Sequence, residues 1–342
     1  MATNKPSKSE TQTEASTGNS KTIESRFTAA DRKQAVPSST ALVYNSSADA
    51  SVKDQLDIQQ GSDAAPFEDE FRFNRDIKIK HDIDSNACHI VAMTAVSDNE
   101  LVIVDCNNKS VKMVNVDNDV ISSYIKFDTH PCDITTLPNR EVAVIFPAEQ
   151  LIRILSTTNG LSIKKSIKVS GECLAVEYCN DRFYILYRNP VKIQILSLSG
   201  GVRQSITPHS KCLEYIPKPQ YIAVDIKDTS STILYLSDGT ENSIISMDQQ
   251  GKMLAVYKDE GLKNPQAITK TPFGSIYVCN SGQDIIYKME EGLTEGIVIL
   301  SSQDGLAYPH SMCFCPSRKS LYISSGSPES KYRFFIKQFI YD

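Results

Sequence analysis

The feature that most constrains this chain is a repeat. Six times between about His89 and the C-terminus, a short apolar strand is followed by a polar turn rich in Asn, Gly and Asp, then by a strand that alternates apolar with polar. The apolar strands align as Leu101–Val104, Val142–Ile145, Phe183–Leu186, Ile233–Leu236, Ile276–Val278 and Leu321–Ile323, about 41 to 50 residues apart. That spacing accommodates four short strands and their turns. The alternating partners are Val111–Met113, Leu151–Ile154, Val191–Ile195, Ile244–Met247, Ile286–Met289 and Phe335–Phe339. Alternation marks a strand wet on one face, whereas a continuous apolar run marks one covered on both. Small sheets packed face to face around an axis satisfy both patterns, because no sheet can bury its two faces alone.

Six units therefore predict an all-β fold, a six-bladed β-propeller. The last unit supplies only three strands before the chain stops, near Ser311–Cys315, Leu321–Ser324 and Tyr332–Tyr341. The segment Phe71–Ile79 is expected to provide the fourth, joining the chain ends and removing an open sheet edge. No segment of helical period reaches any length.

The repeat assigns residues 71–342 to one domain. Residues 1–70 are rich in Ser, Thr, Ala, Asp, Lys and Gln and nearly lack apolar clusters, which predicts a disordered tail or linker. Met1–Ser20 has no apolar core of the kind secretion needs, and no apolar run approaches the roughly 20 residues that span a bilayer. The expectation is a soluble, cytoplasmic, monomeric propeller that makes no use of a membrane. The 9 cysteines are scattered singly, mostly in or beside strands, and read as buried reduced thiols.

Sources of chemistry are sparse. Cys313-Phe314-Cys315 places two thiols on one strand face, but a zinc site wants four ligands and no second pair exists. Gly-x-Ser-x-Gly, the phosphate-binding P-loop and Gly-x-Gly-x-x-Gly are all absent. Asp105 and Asp238 follow strands and read as organisers of the turns after them rather than as metal ligands. Lys164, Lys165 and Lys168, like Lys109, Lys112 and Lys126, read as solvated strand faces. With a net charge of -5 and a pI near 5.7, RNA binding is disfavoured. The composition thus predicts no catalytic residue, no metal and no cofactor. A calcium-dependent hydrolase of the lactonase or esterase type is the catalytic alternative, since six-bladed propellers also host metal-assisted hydrolysis.

The remaining functional surface is the one repetition creates. Turns between the second and third strands of each unit gather on one rim: Asn107, Asn108 and Lys109; Glu149 and Gln150; Arg188 and Asn189; Thr240 and Asn242; Asn280 and Gln283; and the loop Gly326–Ser330. Entry loops carrying His130-Pro131, His209-Ser210 and Tyr308-Pro309-His310 are expected on the same face, with Tyr308 as an aromatic anchor.

Several strings give the chain a family likeness. Tyr221–Asp225, Tyr235-Leu236-Ser237-Asp238-Gly239-Thr240, Asp248-Gln249-Gln250-Gly251-Lys252, Pro265-Gln266-Ala267-Ile268, Gly274–Cys279 and Asp304-Gly305-Leu306 resemble the NHL-repeat propeller at the C-terminal end of tripartite-motif proteins. The resemblance covers residues 71–342. It implies a scaffold that recruits other proteins or RNA, including substrates for ubiquitin transfer. The transfer machinery of that family is not implied here: the first His is His81 and the first Cys is Cys88, so the zinc ligands of RING and B-box domains are missing from the leading segment, as is a coiled-coil heptad run.

Overall fold

The computed structural model describes residues 42–43, 71–227, 231–271, 274–326 and 333–341. Their strands form six antiparallel sheets in a ring. Blades one to five are consecutive four-strand meanders with inner strands Ile90–Ser97, Asp133–Leu137, Cys173–Cys179, Tyr221–Ile226 and Pro265–Lys270. Blade six takes Pro309–Cys315, Ser320–Ser325 and Phe335–Tyr341 from the end of the chain. Its outer strand is Phe71–Lys78, paired from Phe71 against Tyr341 to Lys78 against Phe335. Within the expected tail, Leu42–Val43 pairs with Val256 and Ala255 on the outer edge of blade four. The rest of that tail, and Ser327–Ser330 of the last rim loop, lie outside the described residues.

Side-chain alternation explains why the second strands are continuously apolar. Val102 and Val104 join Val142 and Val144 in the core between blades one and two. Leu101 and Ile103, one residue out of phase, join Tyr322 and Ile336 between blades six and one. Six such clusters fill the six interfaces, so each inner sheet is buried on both faces. Full burial of one Ile contributes about 1.5–3 kcal/mol, which makes every blade dependent on two neighbours.

Four of the rim turns are built alike. Lys109, Gln150, Asn242 and Asp284 each close a turn with φ between 48° and 58°, the left-handed region in which Asn and Asp are enriched. A four-residue helix, Ser210–Leu213, departs from the all-strand expectation; it buries Cys212 in the core between blades three and four. Among the described residues, no helix is long and apolar enough to cross a membrane.

Candidate functional site

The rim residues singled out by the repeat divide into two groups. One group holds the turns together. Asn108 is buried, accepts from the Asn86 amide at 3.0 Å and donates to Asp105 at 2.8 Å. Asn280 is fully buried, accepting from the Lys263 amide and donating to the Gly261 carbonyl. Asn242 accepts from the Asn264 amide at 2.7 Å, and Asn107 donates to the Ala87 carbonyl at 3.1 Å. Glu149 binds Thr129 and Arg153, Thr240 donates to Asp238, and Lys109 donates to the Asp128 carbonyl. The other group is presented to solvent: Gln150, Asn189, Gln283 and Tyr308 are exposed, and Arg188 makes only a loose 3.8 Å pair with Glu172.

The entry-loop histidines separate. His130 is exposed, with Nδ1 2.8 Å from the Cys106 carbonyl oxygen. His209 instead lies against blade four's outer hairpin, donating its amide to the Gly251 carbonyl. His310 is enclosed at the channel, its ring centroid 5.0 Å from that of His89 and its Nδ1 3.2 Å from the Tyr221 hydroxyl. Burial, with His89 adding to it, pushes the His310 imidazole down to about 3, so it stays neutral at physiological pH.

Tyr221 is the residue that shapes the channel. It starts the inner strand of blade four, and its hydroxyl reaches His310 of blade six and, at 3.5 Å, the Val91 carbonyl of blade one on the opposite side. The side chain therefore crosses the channel at its rim end. Below it lies a polar cavity of about 260 Å³, bordered by Thr94, Asp133, Thr136, Glu177 and Phe314. Thr269, Glu177 and Phe314 also border a second space of about 470 Å³ at the opposite mouth, beside Cys179, Asp225 and Lys270.

Two carboxyls border the inner cavity. Asp133 accepts from the Val176 amide at 2.7 Å and from its own strand's Ile134 amide at 2.9 Å, capping the free inner edge of blade three. Burial still pushes it up to about 7. The Glu177 carboxyl takes no hydrogen bond or ion pair among the described residues, and burial followed by the charge of Asp133 pushes it up to about 8. At neutral pH it is mostly a neutral acid facing the cavity. Neither residue, nor Tyr221, stood out in the repeat. The signal was available as a lone Glu in the apolar run Leu174-Ala175-Val176-Glu177-Tyr178.

Lys112 corrects an expectation. It is fully buried, not on a solvated strand face, and its ammonium lies 2.7 Å from both Asp84 and Asp105 and 3.6 Å from the Cys88 sulfur. Asp84, Cys88 and Asp105 form the one group of three metal-type ligands among the described residues. The ammonium fills the place a metal ion would take, so these residues do not fit one. Asp105 and Asp238 act as turn organisers: Asp105 accepts from the His89 amide, and Asp238 from the amides of Thr240, Glu241 and Lys218. Cys313 and Cys315 are both buried free thiols in the core between blades six and one.

The ring defines a six-bladed β-propeller with a channel crossed by a tyrosine at one end. No protein-family model and no curated protein matches the sequence. Solved structures match in fold. A protein of unknown function from Bacteroides thetaiotaomicron is 13% identical over 79% of this chain and 72% of its own, with a TM-score of 0.58. A catalytically inactive form of virginiamycin B lyase from Staphylococcus aureus, with quinupristin, is 12% identical over 80% of this chain and 100% of its own, with a TM-score of 0.57. A streptogramin B lyase is 11% identical over 80% and 98%, with a TM-score of 0.54. At such identities the likeness is one of fold.

Proposed function

We propose that this protein is a non-catalytic recognition propeller that docks a protein partner on the rim of Tyr308. The presentation of that residue carries the reading. Tyr308 is 45% exposed, yet its backbone is held at a left-handed φ of 48°, which is costly for a bulky residue. Two hydrogen bonds hold it there: its amide donates to Asp284 at 2.6 Å, and its carbonyl accepts from the Gly326 amide at 2.7 Å. An exposed aromatic whose backbone is already fixed loses less entropy on docking, as an interface anchor requires. The resemblance to tripartite-motif propellers makes substrates of ubiquitin ligases the partner class to try first, with this chain as the recruiting scaffold. Affinity capture from lysate tests the reading, comparing wild type with a variant in which Arg188, Asn189, Gln283 and Tyr308 are all changed to Ala. These exposed positions are chosen because Asn108, Glu149 and Asn242 brace the turns. Loss of specific partners is expected; an unchanged captured set refutes the rim assignment.

Glu177 favours a second reading, a channel enzyme. Its raised pKa of about 8 lies where general acid–base catalysis operates at neutral pH, and propellers of this fold include lyases. Incubation with quinupristin, with and without micromolar calcium, tests it by chromatography. Consumption that disappears in Glu177→Gln would replace the recognition reading.

A further inference from the structure

The inner channel below Tyr221 carries acidic groups without basic ones, an asymmetry that selects a ligand. Among the described residues, its inner cavity is bordered by two carboxyl residues, Asp133 and Glu177, and by no Lys, Arg or His. Glu177 shares the inner cavity with Asp133 from blade two, Tyr178 from its own strand and Tyr221 from blade four, and shares the mouth with Cys179 from its own strand, Asp225 from blade four and Lys270 from blade five. Lys270, the basic residue at the mouth, is already bound to the Asp225 carboxylate, which Lys227 also contacts at 2.9 Å. That pairing offsets its charge at the mouth. The walls are otherwise hydrogen-bonding: Thr94 and Thr136 hydroxyls lie 2.5 Å apart, and each inner strand leaves one backbone edge unpaired toward the axis. Phe314 adds an aromatic wall common to cavity and mouth.

We propose that the channel binds a small organic cation, a protonated amine, which enters from the face opposite Tyr308 and pairs with Glu177. An ammonium has three donors and no acceptor, matching one carboxylate plus threonine hydroxyls and strand-edge carbonyls. The two connected spaces suit a ligand with an apolar or aromatic body behind the charge. The site is separate from the rim and stands whether or not the rim docks a protein.

Pairing requires Glu177 to ionise, so binding at neutral pH releases a proton. Titration calorimetry of the full chain with ethylamine, putrescine and tryptamine, against ethanol, 1,4-butanediol and tryptophol, tests the proposal. At least one amine is expected to bind about tenfold or more tightly than its alcohol. Measured at pH 7 in two buffers of different ionisation heat, that binding should release close to one proton, and the release should fade above about pH 9. Glu177→Gln should lose about tenfold in amine affinity together with the proton release; the amide mimics the neutral acid, so the free fold is retained. The proton count in wild type keeps the test decisive even if the variant folds poorly. Equal binding of amine and alcohol, binding without proton release, or no binding of any amine at millimolar concentration overturns the proposal.

Discussion

Lys112→Met probes the buried cluster that joins blades six and one. The ammonium is inaccessible to solvent and is held at 2.7 Å by both Asp84 and Asp105. Burial alone would pull its pKa down, but the carboxylate of Asp105, with smaller contributions from Cys88 and Asp84, outweighs burial and leaves it above the ordinary lysine value. For Asp105 burial pushes upward, and the Lys112 charge and hydrogen bonds override it and leave the carboxyl below its usual range. Removing the cation strands two carboxyl groups in a dry site, and breaking such a pair from one side costs about 3–5 kcal/mol. Against a total stability of about 5–15 kcal/mol this is a large fraction, and it corresponds to a fall in Tm of roughly 6 to 20 °C. Thermal unfolding followed by circular dichroism gives the measurement. The pH dependence has a definite sign. A carboxyl whose folded pKa is depressed stabilises above its unfolded pKa and loses that contribution as pH falls through the folded value. The gap between wild type and Lys112→Met should therefore narrow below about pH 4. A variant melting within about 2 °C of wild type at pH 7 would refute the account of Lys112 as the cluster's required cation.

Gly251→Ala should lower the urea midpoint by the equivalent of about 2–3 kcal/mol, because φ is +83° and the new Cβ would lie 2.3 Å from the Thr207 carbonyl oxygen. Ile77→Ala removes a fully buried side chain from the closing strand and should cost about 2–5 kcal/mol; light scattering on the same samples should show aggregation as that strand loosens. An unshifted midpoint would mean that ring closure does not depend on this strand. In urea without reductant, Ellman's reagent should titrate 9 thiols, since all 9 cysteines are free; a smaller number would reveal a disulfide.

Some of the polar architecture was legible in advance and some was not. Asp105 and Asp238 could be read as turn organisers because an Asp-initiated turn is local chemistry, needing only the backbone amides two or three residues away. Lys112 could not be placed, because its alternating strand Ser110–Asn115 looks half-wet until Asp84, 28 residues earlier, folds over it. The rim turns were visible as a set, but which side chains brace and which project depended on partners in neighbouring loops, as with Asn242 and the Asn264 amide.

The sequence by itself determined the ring. The period of the apolar strands and the two-residue alternation beside them are properties of short segments, and only a closed stack of six small sheets buries them all. The interior of the ring was decided by tertiary structure alone. Tyr221 meets Val91 and His310 across an axis that joins residues 130 and 89 positions apart, and Glu177 acquires its raised pKa only where the inner strands of the ring enclose it. Such distant contacts leave no periodic trace, because the inner strand that carries them is otherwise an ordinary apolar strand.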